Sequence, residues 1–112
     1  IVRNKLSKGD KHCLLGWCRS LDPRPKLAML NAIGEVLRER CGYDDDPFSS
    51  DFIIAEFNDY LSTSKKHIAW VWNQARGRVL ATDGRIISLH PLTFNRGRIS
   101  IGPDKTFIDS NW

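Results

Sequence analysis

The sequence is short of sulfur, proline and long apolar runs, and one stretch of it has no cation at all. Three cysteines in 112 residues cannot all pair. A disulfide-stapled secreted scaffold is therefore disfavoured, and a reducing, cytoplasmic setting is expected. No apolar run approaches the roughly 20 residues that cross a bilayer, so no transmembrane span and no membrane partner are expected. A charged leader followed by a continuous apolar stretch is also missing, and no signal peptide is read. Five prolines and eight glycines fall far below a collagen-like content. What is present, 41% hydrophobic and 27% charged residues, is the balance of a folded chain. The length suits a single domain over residues 1–112.

The net charge of +4 is an average over unlike parts. Residues 1–40 carry nine cations and four anions, and residues 65–112 carry eight and three. Residues 41–64 carry six carboxylates and no cation. An acidic centre thus lies between two basic flanks, and mean basicity says little about partners.

Hydrophobic spacing predicts helices first and strands second. Cys13 to Cys18 is short and lacks β-branched residues, which favours helix although Gly16 weakens it. Asp22-Pro23 reads as an N-cap with proline at the first helical position. Leu27, Leu30, Ile33, Val36 and Leu37 then recur at helical spacing with Met29 beside them, and Gly42 supplies the stop. Ser49 or Ser50 caps a further helix with Ile53, Ile54, Phe57 and Leu61 on its apolar face. Ser62 or Thr63 caps the next, whose stripe is Ile68, Val71, Trp72 and Ala75 and whose end is Gly77. The short link between these two predicts close neighbours.

After Gly77 the period changes. Residues 78–82 and 85–89 flank Asp83-Gly84, a tight-turn signal, and predict a β-hairpin. A second pair is read at 98–101 and 106–108. The expected fold is α+β, with three main helices over about 12–76 and a C-terminal β-hairpin or small antiparallel sheet over about 78–109.

Four groups of residues could carry function. Cys13 opens a helix, where the dipole favours a thiolate, and His90 at a strand end could act as its base. Asp10-Lys11-His12-Cys13-Leu14 resembles the nucleophile motif of ovarian-tumour-type deubiquitinases, which implies a Cys–His thiol hydrolase. The plainer reading makes Cys13 and Cys18 small core residues. Cys13 and Cys18 have four residues between them and no second ligand pair follows, so no metal or other cofactor is expected. Arg78, Arg85, Arg96 and Arg98 crowd the C-terminal region, with Lys65 and Lys66 as secondary cations. On a β-ribbon they would contact nucleic-acid phosphates; otherwise they are a solvated face. Asp44, Asp45 and Asp46 form an acidic loop suited to a basic protein partner. Trp70 and Trp72, two apart, cannot share a helix face, so one is core and the other, here Trp70, a contact candidate.

Three segments carry resemblances to mobile-element proteins. Gly84-Arg85-Ile86-Ile87-Ser88-Leu89 is similar to the core of modules appended to phage homing endonucleases, which implies binding without cleavage. Cys13-Leu14-Leu15-Gly16 and Ile54-Ala55-Glu56-Phe57-Asn58-Asp59 together resemble an uncharacterised small domain family of actinobacterial and phage proteins, over residues 12–76. Trp17 and Cys18 stand where that family has small and apolar residues. The resemblance implies a phage or mobile-element context and no catalytic residues. The leading expectation is a non-enzymatic binding module for nucleic acid or a host protein. The alternatives are the Cys13–His90 hydrolase and a structural piece of a larger assembly.

Overall fold

The computed structural model describes residues 7–8, 11–19, 21–44, 47–60, 63–85, 89–96, 98–101 and 106–108. Along the chain these form β1 (Ser7–Lys8), β2 (Lys11–His12), α1 (Leu14–Arg19), α2 (Pro23–Arg40), α3 (Ser50–Asp59), α4 (Lys65–Thr82), β3 (Leu92–Asn95), β4 (Arg98–Ile101) and β5 (Thr106–Ile108). The protein is helix-rich with minor strand content. None of the described helices is long and apolar enough to cross a membrane.

The helix ends follow from local chemistry. Pro23 begins α2, where its missing N–H has no intrahelical partner to lose. At the other end Gly42 adopts φ +82°, and the Cys41 and Tyr43 amides both donate to the Leu37 carbonyl. That left-handed closure is open to glycine at little cost. Ser49 caps α3 by accepting the Phe52 amide, and Ser64 caps α4 by accepting the amide of His67. The α4 cap is therefore Ser64, rather than Ser62 or Thr63.

Helix α2 lies at the centre, with α3 on one flank and α4 on the other, and α1 packs on α3 and α2. Consecutive α3 and α4 pack on α2 rather than along each other. The stripe that α2 buries is Met29, Ala32, Ile33, Val36 and Leu37, whereas Leu27 is 64% exposed. Met29 thus takes the core place that helical spacing assigns to Leu27. Trp17 and Trp72 meet edge to face, with centroids 6.3 Å apart, inside one cluster that runs from Cys13 to Ile99. A Cβ on Gly34 would sit 2.3 Å from Ser50 Oγ and 3.0 Å from Ser50 Cβ. The absence of a side chain there is what lets α2 and α3 approach so closely.

The hairpin expected at 78–89 does not form. Helix α4 continues through Gly77 to Thr82, and Asp83-Gly84 ends it. Val79 is buried and extends the stripe of Ile68, Val71, Trp72 and Ala75 by another turn. Gly77 is on the exposed face, where it costs only about 1 kcal/mol of helix propensity. Packing against α2 overrides that cost.

Strands β3, β4 and β5 form one antiparallel sheet in that order, Leu92 facing Ile101 and Ile99 facing Ile108. Arg96, at φ +53°, turns the chain between β3 and β4, where Asn95 pairs with Arg98. Side chains of α4 hold the approach to this sheet. Trp72 Nε1 donates to His90 O at 2.9 Å, and Arg76 Nε donates to Leu89 O at 2.8 Å. Asn73 donates to Leu92 O at 2.6 Å and accepts from Leu92 N at 2.9 Å. One amide thereby satisfies both backbone groups of Leu92 on the outer edge of β3, as a neighbouring strand would.

Candidate functional site

Among the described residues, three of the six exposed large hydrophobic side chains lie on and around α3. Helical periodicity turns Ile53, Ile54 and Phe57 into the core and leaves Phe52 and Glu56 outward. Phe48, in the loop before the helix, stacks on Phe52 with centroids 4.4 Å apart. The two rings remain 54% and 48% exposed, and Tyr60, at the far end of α3, is 62% exposed. Arg38 fixes the loop by donating to Phe48 O at 3.0 Å and to Ser50 Oγ at 3.4 Å. Asp44 is exposed in the same loop. Asp45 and Asp46 lie outside the described residues. The stretch is thus an aromatic surface set in the one acidic segment of the chain. Two rings stacked in water present a rigid apolar area that costs little ordering entropy on contact.

Among the tryptophans, Trp72 is fully buried and Trp70 is 36% exposed, so Trp70 is the contact candidate of the pair. A chain of rings connects it to α3: Trp70 lies over His67 at 5.7 Å, and His67 meets the edge of Phe57 at 5.2 Å.

Two of the candidate basic residues, Arg78 and Arg85, are engaged in ion pairs. Arg78 pairs with Glu35 and Glu39 on α2, which holds the Glu39 carboxyl below its ordinary value and raises the guanidinium. Asp83 takes both Arg85 and Arg24, and the hydrogen bond from Arg85 depresses its carboxyl first of all. Arg78 and Arg85 therefore already have carboxylate partners that a phosphate would have to displace. Lys65 lies in the first turn of α4 beside exposed Lys66, and Arg96 is exposed at the β3–β4 turn. Arg98 faces Asn95 in the sheet, and its side chain is outside the described residues. Between α2 and α4 these ion pairs rim a cleft of about 230 Å³ floored by Ala28, Ala32 and Val79.

Cys13 has a structural task of its own. The Cys13 thiol accepts the Gly16 amide at 3.2 Å and so caps α1 from inside the core. Burial pushes this thiol up, against the lowering effect of that amide. Among the described residues no hydrogen bond links it to His90, whose carbonyl receives Trp72. Cys18 is fully buried, which raises its thiol strongly. Asn58 has a long-range task beside its local bond to Asp59. Its Oδ1 accepts the Leu14 amide at 3.0 Å across 44 positions, tying the start of α1 to the end of α3. The two segments that carry the family resemblance therefore touch.

One contact has no local sequence signal. Cys41 at the C-cap of α2 and His67 in the first turn of α4 bring Sγ and Nε2 to 3.7 Å. Their separation of 26 positions hides them from any motif reading. Among the described residues no three His, Cys, Asp or Glu side chains cluster as metal ligands would. No protein-family model, curated protein or solved structure matches the chain.

Proposed function

We propose that the protein is a non-enzymatic binding module for a basic protein partner, engaged through α3 and the loop before it. The carrying observation is the exposed Phe48–Phe52 stack, set in a segment of six carboxylates without a cation. Arg38 contacts the Phe48 carbonyl and Arg19 pairs with Asp51, and exposed aromatics in a segment otherwise rich in carboxylates suit a partner that offers apolar anchors among lysines and arginines. Asp44, Asp45 and Asp46 supply the field that draws such a partner in. Phe52, Phe48 and Trp70 supply contact area. The partitioning of Arg78 and Arg85 into ion pairs with carboxylates favours this reading over nucleic acid. A phage or mobile-element origin, with a host protein as the partner, rests on the resemblance over residues 12–76.

Fluorescence anisotropy with two labelled probes tests this. One is an amphipathic lysine–leucine peptide and the other a DNA duplex of matched length. The peptide is expected to bind, and more weakly as salt rises. Phe52→Ser should cost about tenfold in affinity, the loss typical of a central aromatic anchor. Asp44→Asn with Asp45→Asn and Asp46→Asn should chiefly slow association. Binding to the duplex alone, or peptide binding indifferent to both changes, would overturn the assignment.

A further inference from the structure

We propose that Cys41 is a thiol-modification site, forming a mixed disulfide with an anionic low-molecular-weight disulfide while His67 takes the thiol proton. The three cysteines differ in the way such a site requires. Cys13 and Cys18 are sealed in the core, and Cys41 retains access to solvent at the end of α2. Gly42 turns the chain away immediately after it, leaving the C-cap side chain at the surface of the α2–α4 seam.

The second half of the pair is positioned from another element. Ser64 caps α4 on the His67 amide, and the edge of Phe57 and the ring of Trp70 flank the imidazole on either side. That places Nε2 at 3.7 Å from Sγ, hydrogen-bonding distance for sulfur. Partial burial alone would make Cys41 a poorer nucleophile than a free thiol, because it disfavours the thiolate. An imidazole within reach of the proton reverses that handicap by accepting it as the thiolate attacks. Each member of the pair is preceded in sequence by an exposed cation, Arg40 before Cys41 and Lys66 before His67. Charge of that sign favours a disulfide bearing carboxylates, such as oxidised glutathione.

The step balances without a further reactant. Cys41 Sγ forms a bond to one sulfur of the small disulfide, whose S–S bond breaks. The departing thiolate takes the proton held on His67, leaving as a free thiol, and the imidazole returns neutral. Cys41 is oxidised and the departing half of the reagent is reduced.

Incubating the reduced protein with oxidised glutathione, followed by intact-mass measurement and peptide mapping, gives the test. A single adduct on Cys41 is expected, and none in Cys41→Ser. His67→Ala should slow its formation at least tenfold. That is modest beside the roughly hundredfold or more of a well-aligned base, since a thiol at this distance is loosely held. Added imidazole should restore the rate, which a purely structural role for His67 would not allow. Arg40→Gln with Lys66→Gln should slow reaction with glutathione disulfide and leave reaction with neutral iodoacetamide unchanged. First modification at Cys13 or Cys18 would overturn the proposal. So would a His67→Ala protein that reacts as fast as the parent, or one slowed beyond rescue by imidazole.

Discussion

Two seams fasten this small protein together, and they work by opposite means. Helix α3 is held on α2 by shape: Gly34 carries nothing, so Ser50 can approach its backbone, and Ile53 and Ile54 fill the space beside it. The segment leading into β3 is held on α4 by direction, through hydrogen bonds from Trp72, Asn73 and Arg76 to main-chain groups. A shape seam leaves no room for an added atom. A directional seam fails when an atom is taken away. The same chain therefore has one region sensitive to enlargement and another sensitive to truncation.

The largest effect should come from enlarging the first seam. Gly34→Leu forces α2 and α3 apart and is expected to destabilise by about 3 kcal/mol, the upper part of the usual overpacking range. Gly34→Ala should cost less, because alanine's better helix propensity returns about 1 kcal/mol. Urea unfolding of both variants measures this. A Gly34→Leu protein as stable as the parent would show that the seam yields.

Truncating the second seam comes next. Asn73→Ala leaves the Leu92 N–H and C=O without their side-chain partner, at a cost of about 2 kcal/mol. Hydrogen exchange at Leu92 should accelerate far more than exchange in α2. Unchanged protection of that amide would mean that the amide pairing carries little of the docking.

The smallest effect belongs to the charged rim between α2 and α4. Glu39 and Asp83 are both held below the ordinary carboxylate value by arginines. A depressed carboxyl contributes stability above its ordinary pKa and loses it as pH falls through the folded value, so the contribution is present at neutral pH and is lost only below the ordinary carboxylate range. Arg78→Met should lower Tm slightly at pH 7 in low salt, with the difference shrinking as acid protonates the carboxylates. A difference that persists in acid would assign the effect to packing of the arginine stem instead.

Legibility in the sequence followed the same division. Most of the α2 stripe, the Ile53, Ile54 and Phe57 face of α3, and the ends at Pro23, Gly42 and Ser49 are written in local spacing and stand so in the structure, while Leu61 lies outside the described residues. The end of α4 is not, because two local signals compete. Asp83-Gly84 reads as a hairpin turn, yet the buried position of Val79 keeps the helical period running, and tertiary contact with α2 decides between them. Leu27 shows the converse, an apolar residue at the right spacing that the neighbouring elements leave uncovered. Within the candidate surface, the acidic character of the loop is visible in composition, whereas the stacking of Phe48 on Phe52 needs the loop geometry that Arg38 fixes. The contacts of Cys41 with His67 and of Asn58 with Leu14 join residues far apart in sequence, and no local pattern announces them.

Asn73 has one more consequence, for how the protein behaves among copies of itself. An outer strand with open donors and acceptors is a template on which a second chain can add its own strand, the first step of swapping or fibre growth. At Leu92 both main-chain groups are already taken by a side chain from α4, so an incoming chain finds no hydrogen bond to make there. The amide that orients β3 therefore also closes the first position of its edge to strand addition.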